Sequence, residues 1–230
     1  MEDGRQAQRP VIKLGTLEYM PLSEKVASQL RNQIIENHLP ADTKITESDL
    51  STTLGVSRTV VREAIMMLVN EGLIVKAHNR YTKVASYTKR DIQEIYDMRG
   101  ALELTAARIC INKETVAEEL LEKEQQMLML ATKAEIDRLA FVYADMDFHS
   151  CIVKSSENSR LMDAWSKILG PCLVLLYRYT LNCSKRSPLG NLYYDHSKII
   201  RAFAAHDYES VYTALMDHID VMKNILINEY

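Results

Sequence analysis

The stretch from Thr46 to Gly72 constrains this chain more than any other. Thr46 precedes Glu-Ser-Asp-Leu with Asp49 three residues on, a capping-box spacing that opens a short helix. Leu50 and Leu54 then share one face, and Gly55 stands where a helix ends in a left-handed residue. Val56 resumes the apolar contact and Ser57 is placed to cap a second helix. That helix carries Val61, Ala64, Ile65 and Leu68 on one stripe, with Arg58 and Arg62 four apart on another face beside Thr59. Two short helices around a glycine turn, the second with an exposed Ser-Arg-Thr-x-x-Arg edge, read as a helix-turn-helix. Its chemistry suits DNA, because hydroxyls, guanidinium groups and a helix N-terminus all meet phosphates, and arginine forks onto guanine edges. A plain helical hairpin with solvated arginines has the same spacing, but the residues after Gly72 weigh against it. Leu73-Ile74-Val75 is an extended run, His78-Asn79-Arg80 a polar turn, and Tyr81-Thr82-Lys83-Val84 a returning strand, which together make a two-stranded basic wing.

Leu54-Gly-Val-Ser-Arg-Thr-x-Val-Arg-Glu-Ala-Ile followed by Leu68-x-x-Glu-Gly-Leu-Ile resembles the winged helix-turn-helix of GntR-type bacterial transcription regulators, over about Leu22 to Val84. The resemblance implies DNA contacts from Ser57, Arg58, Thr59 and Arg62, with His78 and Asn79 at the wing tip. The chain departs from the family pattern at three points. The usual Pro-Gly is Ala41-Asp42, the wing glycine is Asn79, and Val60 stands where proline is frequent.

Elsewhere the chain reads as helix. It has seven Gly and five Pro in 230 residues, 47% hydrophobic composition, and many Leu, Met and Glu. Leu22 to His38 forms a first helix burying Val26, Leu30, Ile34 and Ile35, while Arg31 lies off that stripe, solvated or reaching a phosphate. From Lys89 onward six helices are expected: one marked by Ile92 to Ile109, then Thr115 to Ala131, about 136–155, about 160–179, about 192–205 and about 208–228. The fold class is therefore mostly α, a winged helix-turn-helix followed by an all-α antiparallel bundle. The divisions are an arm over 1–20, the DNA-binding unit over 21–86 and the helical unit over 87–230. The arm lacks the apolar centre of a signal peptide and reads as flexible. Residues 1–86 carry 11 Lys and Arg against 10 Asp and Glu, and residues 87–230 carry 17 against 21, a polarity with the sign of a DNA-facing head. The net charge of −3 excludes a general nucleic-acid coat. No apolar run approaches a span of ~20 residues. Four cysteines without a C-x-x-C pair suit reduced thiols in a cytoplasm.

Asp145 and His149, four apart, put a carboxylate and an imidazole on one helix face. His196 begins the inner face of a later helix, and His218 lies in the last one among Leu215, Ile219 and Met222. Such side chains either make local hydrogen bonds or converge in the bundle core, where a divalent transition metal (Zn, Ni, Mn or Fe) suits one carboxylate with three imidazoles. Asp145-x-x-Phe-His149, Asn158, Asp195-His196-x-x-Ile-Ile, Leu-Met-x-His218-Ile and Arg99-x-x-x-Glu103 resemble the FCD effector domain that follows this kind of winged helix. The resemblance implies that Asp145, His149, His196 and His218 bind metal and that a small organic acid completes the site. Six helices rather than seven resemble its vanillate-regulator-like branch. Arg99 or Arg178 is placed to meet the acid. The implied protein is a homodimeric repressor on a double-stranded operator with half-sites ~10 bp apart. The rival reading is a metal-dependent hydrolase or oxygenase using the same Asp and His set, for which Glu103 is the one available base. His206 has no motif partner, His38 closes the first helix, and the Met127 to Leu130 run reads as packing.

Overall fold

The computed structural model describes residues 20–77, 81–133, 135–182 and 190–229, the side chains of 77, 182 and 190–195 excepted. The first helix, α1 (Leu22–Ile35), buries Val26, Ala27, Leu30, Ile34 and Ile35. It stops three residues short of His38, because Asn37 at φ 61° turns the chain out of the helix. His38 is exposed beyond that end, 3.7 Å from the Glu36 carboxylate.

Asp42, in the place of the family's glycine, does adopt the left-handed conformation, at φ 65°. Its carboxylate accepts hydrogen bonds from Lys83 and Ser86, which ties the turn to the far strand. This turn introduces an element that sequence pattern did not reveal. A two-residue strand β1 (Lys44–Ile45) pairs with β3 (Tyr81–Val84), so the wing is a three-stranded antiparallel sheet, with β2 (Ile74–Ala77) on the other side of β3. Ile45 lies opposite Thr82, and Ile74 opposite Val84. Two residues are too few to show alternation, so β1 owes its existence to the pairing itself.

The helix-turn-helix forms as its caps dictate. In α2 (Glu47–Leu54) the Thr46 hydroxyl accepts the Asp49 N–H, and Gly55 follows at φ 65°. In α3 (Arg58–Asn70) the Ser57 hydroxyl accepts the Val60 N–H, and Val61, Ala64, Ile65 and Leu68 are buried as the stripe requires. The six expected helices come next: α4 (Lys89–Cys110), α5 (Thr115–Ala131), α6 (Arg138–Ser155), α7 (Ser159–Asn182), α8 (Gly190–Ala204) and α9 (Tyr208–Glu229). A complete capping box at Thr88 and Asp91 starts α4, and Asp137 caps α6. In the bundle α5 packs on α6 and α8, α4 packs on α6, α7 and α9, and α8 packs on α9. Met127 belongs to the core, whereas Leu128 and Met129 face outward, so the Met-rich run is only partly packing.

The winged head does not hang free. Helix α7 also packs on α1 and α3, and the Tyr143 hydroxyl of α6 donates to Asn32 Oδ1 of α1 at 2.8 Å. Tyr143 therefore serves this junction. Arg31 is neither solvated nor open to a phosphate, because its Nε and Nη2 fork onto the Glu71 carboxylate at 2.6 and 2.7 Å.

Candidate functional site

Two places gather functional side chains. On the head, Ser57, Arg58, Thr59 and Arg62 are all exposed at the start of α3. Capping leaves the Ser57 hydroxyl on the helix N-terminus, where unpaired N–H groups favour an anion. Arg62 Nε and Nη2 fork onto Glu47 of α2 at 3.0 and 2.7 Å, and Arg58 Nη2 reaches Ser48 Oγ at 3.4 Å. Both arginines are thus held across the two helices of the motif. His78 and Asn79 lie outside the described residues.

The second place is buried in the bundle. Asp145 and His149 of α6, His196 of α8 and His218 of α9 meet between helices, and none is more than 4% exposed. One ring nitrogen from each of the three histidines lies within 4.8 Å of those of the other two. His149 Nε2 and His196 Nε2 are 3.2 Å apart. Asp145 closes the group, with Oδ1 3.5 Å from His196 Nε2 and Oδ2 4.0 Å from His149 Nε2. The His149 and His218 rings stack at 5.0 Å between centroids, and Phe148 packs on His196 at 4.4 Å.

A chain of buried partners orients this group from α4. Arg99 Nε donates to Glu103 Oε1 at 2.8 Å, and Glu103 Oε2 lies 2.7 Å from His149 Nδ1. A carboxylate there holds the proton on Nδ1 and leaves the Nε2 lone pair facing the other histidines. Burial pushes Glu103 up from the ordinary carboxylate range, and Arg99 opposes that rise. Burial likewise pushes Asp145 up to about 6 and drives all three imidazoles well below their usual range, with Arg99 adding to the effect. Neutral imidazoles carrying lone pairs are what a metal requires.

The donor set fits a divalent metal on a further ground. His196 Nδ1 is buried without a partner among the described residues. If His196 Nε2 donates to His149, Nδ1 is an orphaned acceptor. If Nδ1 carries the proton instead, two Nε2 lone pairs face each other at 3.2 Å, an arrangement that a cation between or beside them relieves.

Arg99 is part of this site: fully buried, with its Nη2 unpartnered beyond the Glu103 contact. Sequence reasoning missed Tyr96, which is equally buried, has a hydroxyl without a hydrogen-bond partner among the described residues, and lies under Arg99, the guanidinium carbon 5.5 Å from the ring centre. The signal was available, since Tyr96 lies one turn before Gly100 on the buried face that carries Arg99 and Glu103. Arg178 is elsewhere, in a surface cleft with Asn37, Pro40, Tyr179 and Leu226. His206 is in the turn before α9, at φ 51°, and its Nδ1 lies 2.8 Å from the Ile111 carbonyl oxygen, so it has a partner that no motif announced.

Comparison with known proteins assigns both places to families. The description "Bacterial regulatory proteins, gntR family" matches residues 22–84, and the FCD domain matches residues 94–221, more than half of the chain. The chain is a GntR-family transcription regulator. A probable D-xylose utilization operon transcriptional repressor of Paenarthrobacter nicotinovorans is 31% identical to this regulator over 199 residues, covering 84% of this chain and 85% of that protein. The gluconate operon transcriptional repressor of Bacillus licheniformis is 27% identical over 201 residues, covering 85% and 81%. Among solved structures, McbR/YncC of E. coli superposes with a TM-score of 0.76 at 21% identity, covering 92% of this chain and 100% of that one. At that identity the likeness is one of fold. The rival enzymatic reading falls, because family and relatives alike are regulators. Among the described residues, no helix is long and apolar enough to cross a membrane.

Proposed function

We propose that this GntR-family regulator is a homodimeric repressor whose hold on a double-stranded operator is released by a small organic acid bound beside a metal in the helical domain. The division of labour is a DNA-binding head over 21–86 and an effector domain over 87–230, after a short arm. Ser57, Arg58, Thr59 and Arg62 are the contacts to DNA, joined by His78 and Asn79 of the wing. Asp145, His149, His196 and His218 hold a divalent transition metal, Zn, Ni, Mn or Fe. The observation that carries the reading is the orientation of His149. A buried Arg99–Glu103 pair aims its Nε2 at two further histidines and a carboxylate, an arrangement that a bundle staple of neutral side chains does not need. When bound, the metal supplies open coordination positions for a carboxylate. The chain's own residues do the rest: Arg99 Nη2 and the Tyr96 hydroxyl, both buried and unpartnered, offer hydrogen bonds to an acid's oxygens. Arg178, in its separate cleft, is a secondary candidate for the acid. One relative is named a gluconate operon repressor, and gluconate is a hydroxy acid, which supports including hydroxy acids among the effectors tried. The acid must bind the operator-releasing arrangement better than the operator-bound one, since equal affinity shifts nothing.

The test is operator selection from a random duplex pool, followed by fluorescence anisotropy at fixed salt with each metal and a panel of sugar acids and hydroxy acids. Specific binding that one acid releases only when metal is present supports the proposal. A selected operator whose affinity no metal and no acid alters would overturn its effector half.

A further inference from the structure

The head meets the bundle at a contact that admits no side chain on either partner. Helix α7 contains Pro171, whose nitrogen carries no hydrogen, so the Lys167 carbonyl four residues earlier loses its helical donor. That carbonyl faces Gly72, in the turn between α3 and β2. A Cβ built on Gly72 would lie 2.8 Å from Lys167 O and 3.1 Å from Pro171 Cγ, and its φ of 76° excludes most side chains independently. The reciprocal position is Gly170, where a Cβ would lie 2.5 Å from Glu71 O and 2.7 Å from Leu73 Cγ. A glycine within a helix costs about 1 kcal/mol relative to alanine, and at 170 it lets the two backbones touch.

Both sides of this contact are held firmly. On the head, Glu71 is gripped by the Arg31 fork, Gly72 O accepts the Tyr87 hydroxyl at 2.9 Å, and Leu73 is fully buried. On the bundle side the next residue along α7, Cys172, is fully buried. Helix α7 also packs on α4, the helix that carries Arg99 and Glu103. Helix α7 thus lies between the end of the recognition helix and the helix that orients the buried site.

We propose that Gly72, Gly170 and Pro171 are positioning residues that seat the recognition helix on the effector bundle, and that α7 carries the state of the buried site to the head through this seat. The coupling half of the proposal rests on the ligand-controlled reading above, and the positioning half only on its DNA-bound dimer. Two substitutions loosen the seat by different routes. Gly170→Ala inserts a methyl where Glu71 O and Leu73 stand, and pries it open. Pro171→Ala adds no bulk but returns an N–H to the Lys167 carbonyl, which withdraws that oxygen into the helix.

The experiment uses the full chain of wild type and both variants. It measures Zn²⁺ stoichiometry by titration calorimetry, affinity for the selected operator with saturating Zn²⁺ and with chelator, and hydrogen exchange of residues 68–74 in both conditions. Both variants should bind Zn²⁺ as wild type does and lose operator affinity by about tenfold or more, as heads that no longer fit two half-sites together. The Zn²⁺-to-chelator affinity ratio, about fivefold or more in wild type, should collapse toward one, and exchange at 68–74 should no longer respond to Zn²⁺. Variants with wild-type Zn²⁺ binding, operator affinity and ratio would overturn the proposal. A wild-type ratio of one refutes the coupling half alone, and the variants' operator affinity then decides the positioning half. If Gly170→Ala does not fold, Pro171→Ala, which adds no atom at the contact, carries the same decision.

Discussion

Replacing Glu103 by Gln should separate two quantities that the site binds together. The carboxylate is fully buried and accepts from Arg99 Nε at 2.8 Å on one oxygen while meeting His149 Nδ1 at 2.7 Å on the other. Glutamine keeps the shape but has one oxygen and one NH2, so it can accept from Arg99 or from His149 and must present a donor to the other. Its lost charge leaves the Arg99 guanidinium unpaired in a dry core, which costs about 3–5 kcal/mol. That is a fifth or more of a typical domain's stability of about 5–15 kcal/mol. With the Nδ1 proton no longer held, Zn²⁺ affinity should fall by about 10- to 100-fold. Urea unfolding of the metal-free chain reads the first quantity, and competition with a chelating dye reads the second. The double variant Glu103→Gln with Arg99→Met removes the stranded charge, so it should regain much of the stability and none of the Zn²⁺ affinity. A Glu103→Gln protein with wild-type unfolding midpoint and wild-type Zn²⁺ affinity would refute the reasoning, and recovery of Zn²⁺ binding in the double variant would show that Glu103 acts on the fold and not on His149.

Other expectations concern the head and pH. Arg58→Ala with Arg62→Ala should weaken operator binding by about thirtyfold or more if both arginines read bases, and unchanged anisotropy would remove α3 from the interface. Glu47→Gln frees Arg62 from its fork and removes an anion from the DNA face, so affinity for unrelated duplex should rise and its salt slope steepen by about one; an unaltered slope would mean that Arg62 meets no phosphate. Because burial holds the three imidazoles below their ordinary value of 6.5, an unfolded chain takes up protons that the folded one refuses as pH falls through that value. Stability of the metal-free chain is therefore greatest above about 6.5 and declines below it. Asp145, raised to about 6, works the other way, favouring the folded state at low pH and losing that effect as pH rises through about 6. Glu103, also raised by burial, acts as Asp145 does, but three imidazoles outweigh two carboxylates, so thermal midpoints should drop on acidification, and the rise conferred by Zn²⁺ should shrink steeply between about pH 7 and 5. A Zn²⁺ effect of equal size at both ends would contradict proton competition at these ligands.

Local chemistry made most of this protein legible in advance. Thr46 and Ser57 act as caps because a hydroxyl before a helix has an N–H to satisfy, and Val61, Ala64, Ile65 and Leu68 are buried because their spacing fits one helical face. Asp145, His149, His196 and His218 were located by residue type on helical faces, and the bundle brings them together. What stayed hidden depended on partners distant in sequence. Arg31 finds Glu71 forty residues away, β1 exists because β3 is beside it, and the role of Glu103 depends on a histidine forty-six residues on. Gly170 reads as an ordinary weak point in a helix until the α3–β2 turn is seen against it.

The depth of the histidine cluster sets a tempo. Asp145, His149 and His196 are sealed, and His218 borders a surface cleft shared with Lys198, Asp217 and Asp220. An ion held at that depth would leave through local opening of the bundle, so its residence would follow the frequency of that opening rather than the free concentration outside. Such an ion would exchange slowly compared with a ligand that needs no such opening. The rapid signal must then come from a visitor that needs a smaller breach, and the protein's memory of metal supply outlasts its response to any one meal of substrate.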